Sequence, residues 1–272
     1  MRPMTEQPIN RAIVENLIRD TARQLILPRF RALSSDDIRE KKPGDPVTIA
    51  DIETEKALTR LLYELAGGAL VLGEESVAED PRRLEALASD SPVWIIDPVD
   101  GTSNFAKGVP GFAVIVALAR HGQVEAGWIY DPLHDVMISS QKGQGAWLGE
   151  RRLAVSADIP PEDATGSAYG RAKSGLRAAK ALSDSGRVRG VHNQGCSGLE
   201  YMALAQGISQ FSLHSRSLPW DHAAGMLIVS EAGGCASFLD GSAYDARITD
   251  QPVLAAANKT NWQTVQDIIT AP

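Results

Sequence analysis

The stretch "WIIDPVDGTSNF", from Trp94 to Phe105, decides the fold. It begins with apolar residues that are typical of a buried strand and ends with residues that are typical of a turn. Asp97 and Asp100 lie where the apolar run stops. Two carboxylates this close repel each other and resist burial, unless they bind a cation. A turn could present both to metal ions roughly 4 Å apart.

The composition is that of an acidic globular protein. The 272 residues are 43% hydrophobic and 22% charged, with a net charge of -7. The lack of a long basic run disfavours a nucleic-acid partner. Cys196 and Cys235 are the two cysteines, which suggests reduced thiols rather than a disulfide framework. The sequence shows no signal-peptide pattern and no run of roughly 20 apolar residues, so we expect a cytoplasmic protein without membrane contact.

The first half of the chain begins with helix patterns and continues as a series of strands. Apolar residues recur at helical spacing over residues 14–25 and again after Thr48, and Gly67-Gly68 predicts the end of the second helix. Between these helices, "SSDDIREKKPGDP" predicts a loop, and "ALVLGEES" predicts a short strand that runs into a loop. We expect a third helix in the 80s. Alternating apolar segments and turn residues over 112–156 predict an antiparallel meander.

The pattern changes after Pro160-Pro161, where strands and helices alternate. The helix "DHAAGMLIVSEAGG" and a closing helix from Thr260 belong to this part. We therefore divide the chain into an α+β half over 1–158, which carries most of the acidic motifs, and an α/β half over 159–272, which completes the site. We expect the two halves to form one compact unit.

Acidic residues stand at the ends of several apolar segments, where sites are usually built. They are Asp51, Glu74, Glu75, Asp97, Asp100 and Asp221. Singly, each has a structural explanation as a helix cap, a turn residue or a solvated loop residue, and Thr48 with Asp51 could form a capping box. Together, oxygen ligands without a Cys or His cluster favour Mg²⁺, Mn²⁺ or Ca²⁺ over zinc. Backbone N–H groups of Gly101 and Thr102 could bind phosphate oxygens.

These motifs resemble the inositol monophosphatase family of Mg²⁺-dependent, lithium-sensitive phosphatases. "WIIDPVDGTSNF" and "PWDHAAGMLIVSEAGG" resemble its two signatures, "LGEES" resembles its metal-binding glutamate loop, and "DPVTIADIETEKAL" resembles its Val-Thr-x-x-Asp helix start. Four motifs in the family's order make the resemblance specific. It implies a mixed α+β and α/β fold, the layered αβαβα sandwich of the inositol monophosphatase and fructose-1,6-bisphosphatase type, and a homodimer.

The resemblance implies two to three Mg²⁺ ions in each site. Glu74, Asp97 and the backbone carbonyl of Val99 would bind the first ion. Asp97, Asp100 and Asp221 would bind the second, and Glu74 with waters would bind a weaker third. Mn²⁺ is expected to substitute for Mg²⁺, whereas Ca²⁺ and Li⁺ are expected to inhibit.

The resemblance also assigns catalytic residues. Asp51 and Thr102 would orient the attacking water, and the backbone amides of Gly101 and Thr102 would hold the phosphate. No cysteine or serine nucleophile is required, and Cys196 has no base at a diagnostic spacing. These residues imply hydrolysis of a phosphate monoester by a metal-activated water.

The expected substrate contacts are Ser197, His214 and Arg216. His214 stands where many family members carry a glutamate that binds a substrate hydroxyl, and an imidazole lacks the two oxygens of a carboxylate. Arg216 could bind a second anionic group, although both residues could equally belong to an ordinary polar loop. The candidate substrates are therefore an inositol monophosphate, histidinol phosphate, a 3′-phosphoadenosine nucleotide, fructose 1,6-bisphosphate or a range of sugar phosphates.

The sequence thus predicts a phosphoric monoester hydrolase that resembles inositol monophosphatase and acts on a small sugar-type phosphate. One alternative is a regulator that uses the same fold to bind a protein or RNA partner. The complete set of acids and the acidic net charge disfavour this alternative. Another is a structural cation-binding protein, for which Thr102 and the glycine-containing phosphate turn would be superfluous.

Overall fold

A computed structural model describes residues 9–65, 69–169 and 173–271 of the chain. The predicted helix end at Gly67-Gly68 lies outside these ranges. Within them, no helix has the combined length and apolar character that would be needed to cross a membrane.

The described residues contain eight α-helices and fourteen strands. The α-helices are α1 (Arg11–Leu25), α2 (Ile49–Leu65), α3 (Glu74–Glu79), α4 (Thr102–Ala106), α5 (Lys173–Asp184), α6 (Ser197–Ala205), α7 (Pro219–Glu231) and α8 (Lys259–Thr270). The strands are β1 (Ile38–Lys42), β2 (Asp45–Thr48), β3 (Leu70–Gly73), β4 (Val93–Asp100), β5 (Ala113–Arg120), β6 (Gln123–Asp131), β7 (Val136–Gln141), β8 (Ala146–Leu148), β9 (Arg151–Arg152), β10 (Thr165–Tyr169), β11 (Gly190–His192), β12 (Phe211–His214), β13 (Cys235–Phe238) and β14 (Val253–Ala256).

The first half of the chain builds a seven-stranded sheet whose strands follow chain order from β3 to β9. β3 pairs with β4 in parallel, and every later pair is antiparallel. This arrangement confirms the predicted meander. Short turns suffice between antiparallel neighbours, which explains the regular alternation of apolar segments and turn residues.

The second half builds a five-stranded sheet in the order β11-β10-β12-β14-β13. β10 pairs in parallel with both β11 and β12, whereas β14 is antiparallel to β12 and β13. β13 was not predicted from the sequence. Its residues are only partly buried except Phe238, so it lacks the apolar run of a central strand.

Successive side chains of β4 point to opposite faces of the sheet and enter two different hydrophobic cores. Trp94 and Ile96 lie in a core with α1 and α2, whereas Val93 and Ile95 lie in a second core with α6 and α7. A third core lies between the five-stranded sheet and helices α5 and α8. The order of layers is therefore helices, sheet, helices, sheet, helices, which confirms the predicted αβαβα sandwich. The second core contains residues from both halves of the chain, although the division at 158/159 itself stays a prediction.

Two loop predictions are wrong. "SSDDIREKKPGDP" contains a short 3₁₀ helix, Ser35–Asp37, followed by the hairpin β1–β2. Gly44 has φ +77°, a left-handed conformation that suits the turn, and charged residues on β1 hide the strand pattern. The loop predicted after β3 is instead the start of α3, where the Ser76 hydroxyl accepts a hydrogen bond from the Gly73 N–H. The helix expected in the 80s is a 3₁₀ helix, Pro81–Ala88.

Candidate active site

The end of β4 contains a β-bulge between Asp97 and Asp100. Asp97 lies opposite Ile115 and Asp100 lies opposite Ala113, so β4 holds one residue more than its partner over this interval. Such a β-bulge redirects side chains that would otherwise alternate between the two faces of a sheet. The backbone N–H of Val99 donates to Oδ1 of Asp97 at 3.1 Å and fixes the bulge from within.

Three of the predicted metal ligands converge beside this bulge. Each of Glu74, Asp97 and Asp221 places one carboxylate oxygen within 4.8 Å of the others. Glu74 is the first residue of α3, and Asp221 lies in the first turn of α7. The cluster therefore combines one acid from the second half of the chain with two from the first.

The electrostatics of the cluster favour a bound cation. Asp97 is 1% exposed, and burial raises the pKa of its carboxyl well above the usual value. The negative charges of Glu74, Asp100 and Asp221 raise this pKa further. Several carboxylates without a Cys or His ligand form a donor set that suits a hard divalent cation.

Lys41 places a positive charge next to Glu74 and Glu75. Its ammonium lies 2.6 Å from Oε1 of Glu74 and 3.0 Å from Oε1 of Glu75. Although burial lowers the pKa of Lys41, the two carboxylates raise it above the ordinary value. Burial, together with the charge of Glu74, raises the pKa of Glu75 to about 8. Lys41 therefore neutralises part of the negative charge of Glu74 and Glu75. Lys41 was not among the site residues predicted from the sequence.

The N-terminal end of α6 holds Asp100. Its Oδ2 accepts from the backbone N–H of Gly198 at 2.6 Å and lies 3.1 Å from both the Cys196 Sγ and the Ser197 Oγ. Burial raises the pKa of Asp100, and these donors oppose the rise. The Ser197 hydroxyl also lies 3.1 Å from the backbone carbonyl of Asp221. Ser197, which was predicted to contact substrate, thus lies between two of the predicted metal-binding residues.

Asp51 and Thr102 form a hydrogen-bonded pair at the edge of the cluster. The backbone N–H and the hydroxyl of Thr48 donate to Oδ2 of Asp51 at 2.8 and 2.5 Å, and the first of these bonds is one half of the capping box that the pair could form. The Thr102 hydroxyl lies 3.1 Å from Oδ1 of Asp51 and 2.9 Å from the carbonyl oxygen of Val99. Burial raises the pKa of Asp51 to about 6, although the Thr48 hydrogen bonds oppose this rise.

Gly101 connects β4 to α4 in a conformation that requires glycine. Its φ is +89°, and a Cβ at this position would lie 2.5 Å from the carbonyl oxygen of Gly111. The side-chain amide of Asn104 donates to that same carbonyl at 2.7 Å and to the carbonyl of Gln194 at 2.9 Å. Asn104 therefore attaches the glycine turn to the segment before α6. Its position in "DGTSNF" was the available signal, but Asn104 was not among the site residues predicted from the sequence.

His214 and Arg216 occupy different environments. His214 is 2% exposed, its Nε2 lies 2.8 Å from the Ser212 hydroxyl, and its ring stacks on Tyr201. Burial lowers the pKa of His214 to about 4, so the ring is neutral at physiological pH. Its Nδ1 is buried and has no hydrogen-bond partner among the described residues. Arg216 is exposed, and substrate contact by either residue stays a prediction.

Comparisons with known proteins agree with this arrangement. The chain matches the inositol monophosphatase family over residues 8–271. Inositol-1-monophosphatase of Mesorhizobium japonicum is 36% identical to it, and the match covers 80% of this chain and 84% of the relative. Inositol monophosphatase 1 of Bos taurus is 32% identical, with coverage of 81% and 80%.

Solved structures share the fold. The extragenic suppressor protein suhB of Bartonella henselae has a TM-score of 0.81 and is 27% identical, and the match covers 96% of this chain and 98% of that chain. An IMPase of Thermotoga maritima has a TM-score of 0.81 at 25% identity, with 95% of each chain covered. These comparisons confirm the predicted fold, and the named relatives confirm the predicted class of enzyme, a phosphoric monoester hydrolase. The chain belongs to the inositol monophosphatase family.

Proposed function

We propose that this protein hydrolyses the phosphate monoester of a small sugar-type alcohol in an Mg²⁺-dependent reaction, with an inositol monophosphate as the first candidate. The observation that carries the proposal is the convergence of Glu74, Asp97 and Asp221 within 4.8 Å, next to the turn at Gly101 and Thr102. The family match and the named relatives support it.

The carboxylates would hold two to three metal ions. Their ligands would be Glu74, Asp97, the carbonyl of Val99, Asp100 and Asp221. Mg²⁺ bound there supplies Lewis acidity, which neutralises phosphate charge and lowers the pKa of water.

The protein's own groups would position the water and the phosphate. The Thr102 hydroxyl has acceptors in Asp51 and in the carbonyl of Val99, so its proton is committed and its lone pairs remain to accept from a water. Asp51 would orient this water, because Thr48 already fixes its other oxygen. Backbone N–H groups of Gly101 and Thr102 would stabilise the phosphate charge.

The leaving group would lie toward α6 and β12. We infer that Ser197, His214 and Arg216 lie on this side of the substrate. The buried Nδ1 of His214 supports a polar contact there, because burying an unpaired nitrogen is costly. A neutral imidazole lacks the two oxygens with which a carboxylate can hold a diol. Histidinol phosphate and a 3′-phosphoadenosine nucleotide are therefore kept as alternatives to an inositol monophosphate.

Phosphate release with Mg²⁺ tests the proposal. The substrates are inositol 1-phosphate, histidinol phosphate, 3′-phosphoadenosine 5′-phosphate, fructose 1,6-bisphosphate and glycerol phosphate, each with and without Li⁺ or Ca²⁺. We expect one dominant substrate, inhibition by either ion, and partial replacement of Mg²⁺ by Mn²⁺.

Asp97→Asn provides the matching variant. It retains the size of the side chain but removes the charge, so we expect activity to fall by on the order of 100-fold or more while the protein stays folded. Full activity in a folded Asp97→Asn protein would refute the metal assignment. The homodimer and the cytoplasmic location stay predictions.

A further inference from the structure

Glu55 lies on α2, one helical turn after Asp51, and is 5% exposed. Its Oε2 accepts from the backbone N–H of Glu75 at 2.7 Å, and its Oε1 accepts from the backbone N–H of Ser76 at 2.9 Å. These are the two residues that directly follow Glu74. Both oxygens of this buried carboxylate are therefore used on the first turn of α3.

Gly73, the residue before Glu74, packs against the same carboxylate. A Cβ on Gly73 would lie 2.1 Å from the carboxyl carbon of Glu55, so only glycine lets Glu55 come this close. The φ of Gly73 is -119°, which any residue can adopt, so glycine is required here for space and not for conformation. Glu55 thus contacts the backbone on both sides of Glu74.

The Glu55 carboxylate caps the start of α3 from another helix. Gly73 has no side chain that could accept from the N–H groups of Glu75 and Ser76, and the Ser76 hydroxyl accepts only from the Gly73 N–H, at 3.1 Å. Burial raises the pKa of Glu55, and the nearby charge of Glu74 raises it further, so another acid at this position is costly. The Glu55 carboxylate connects α2, which carries Asp51, rigidly to the start of α3, which carries Glu74.

We propose that Glu55 is a positioning residue for metal binding: it holds Glu74 at a fixed distance from Asp51 through the backbone of Glu75 and Ser76. This inference rests on the proposed function, since it takes Glu74 to be a metal ligand. Groups that orient a metal ligand typically contribute 10- to 100-fold to metal affinity.

The test measures metal binding directly, by titrating the full-length metal-free protein with Mn²⁺ and following free Mn²⁺ by electron paramagnetic resonance. In Glu55→Gln, the amide nitrogen can no longer accept from a backbone N–H. We expect the dissociation constant for Mn²⁺ to rise by about 10-fold. The Mg²⁺ concentration for half-maximal phosphate release should rise by a similar factor, whereas kcat at saturating Mg²⁺ should change by less than about 3-fold.

Glu231→Gln is the matched control. Glu231 also accepts from two backbone N–H groups, those of Gly143 and Gly145, at 2.6 and 2.7 Å. It lies on the same helix as Asp221 but ten residues later, about 15 Å along the axis. A structural loss alone would lower the unfolding midpoint of both variants and leave Mn²⁺ affinity unchanged. Equal Mn²⁺ affinity in Glu55→Gln and Glu231→Gln would overturn the proposal.

Gly73→Ala approaches the same contact from the other side, and if Glu55→Gln does not fold, unchanged Mn²⁺ affinity in folded Gly73→Ala overturns the proposal. We expect it to weaken Mn²⁺ binding in the wild-type background but not in Glu55→Ala, where the clash is absent. If the effects of Gly73→Ala and Glu55→Ala on Mn²⁺ affinity add in the double variant, the proposal is also overturned. If the wild-type protein binds Mn²⁺ but releases no phosphate from any substrate, the proposed function fails, whereas the Mn²⁺ titrations still decide the role of Glu55.

Discussion

Thr102 illustrates how much the chemistry depends on one hydroxyl. The hydroxyl lies within hydrogen-bonding distance of Asp51 and of the Val99 carbonyl, which commits its proton and leaves its oxygen to accept from water. Thr102→Val preserves the shape but removes the hydroxyl. We expect kcat to fall by about 100-fold or more, because positioned proton acceptors and orienting groups typically contribute that much. Steady-state kinetics at saturating Mg²⁺ measures the change.

Thr102→Ser is the control for this prediction. Serine keeps the hydroxyl and loses only a methyl group, so we expect it to retain most of the activity. Equal activity of the valine and serine variants would show that the hydroxyl has no role in the reaction. Unfolding midpoints of both variants separate an effect on catalysis from an effect on stability.

At the scale of single residues, local contacts were predictable and distant ones were not. Thr48 and Asp51 lie three residues apart, and the capping spacing predicted their contact. Lys41 meets Glu74 across 33 positions, and no pattern in the sequence specifies that pair. The same holds for the contact of Cys196 with Asp100, which spans 96 positions.

At the scale of elements, α4 and the segment before α6 are joined by one side chain. Asn104 donates from a single amide group to the carbonyls of Gly111 and Gln194. In Asn104→Asp, a carboxylate of the same shape would face both carbonyls without a proton to donate. We expect a loss of stability of about 1–3 kcal/mol and a higher KM, because the segment before Ser197 would lose its anchor. Urea unfolding and substrate titrations measure these two effects.

Serine at the neighbouring position 103 offers a matched substitution for this experiment. Ser103 is exposed, so Ser103→Asp adds the same charge to α4 without removing a donor. If both variants raise KM equally, the cause is the added negative charge and not the loss of the anchor.

Helices and strands could be predicted from the sequence where buried apolar residues recur at the spacing of a helix or a strand. The meander was predictable because apolar segments alternate with turns, and the helices α1 and α2 were predictable from their apolar stripes. The hairpin β1–β2 was not, because its strands are short and β1 carries charged residues on an exposed surface. That hairpin carries Lys41, so the missed element and the missed site residue have one cause.

At the scale of the whole molecule, the site depends on how the layers stack. Asp221 on α7 reaches the two acids of the first half because α7 packs against the seven-stranded sheet in the core that both halves share. Spacing along the chain could not show this convergence. The family resemblance supplied it, since four motifs in order identified the layered fold.

Burial of these acids, together with their mutual repulsion, makes the stability of the whole molecule depend on pH and metal. In the metal-free protein the pKa of Glu75 is about 8, whereas an unfolded chain gives about 4.3, so the folded state binds more protons than the unfolded state between these values. Stability must therefore fall as pH rises through the folded pKa. His214 and His222 do not act in the window from about pH 7 to 9, because burial lowers their pKa values and their unfolded values lie near 6.5.

We therefore expect metal-free protein to lose on the order of 2 kcal/mol of unfolding free energy between about pH 6.5 and 9. Saturating Mg²⁺ should remove most of this loss, because the ion binds the ionised carboxylates of the folded state only. Urea unfolding at several pH values, with EDTA or with Mg²⁺, measures the difference. Glu75→Gln is the control, since it removes one titrating group and should make the metal-free profile less steep, whereas Asp97 and Asp100 continue to contribute. A metal-free profile that stays level or rises over this range would show that burial and repulsion do not raise the pKa values of these acids.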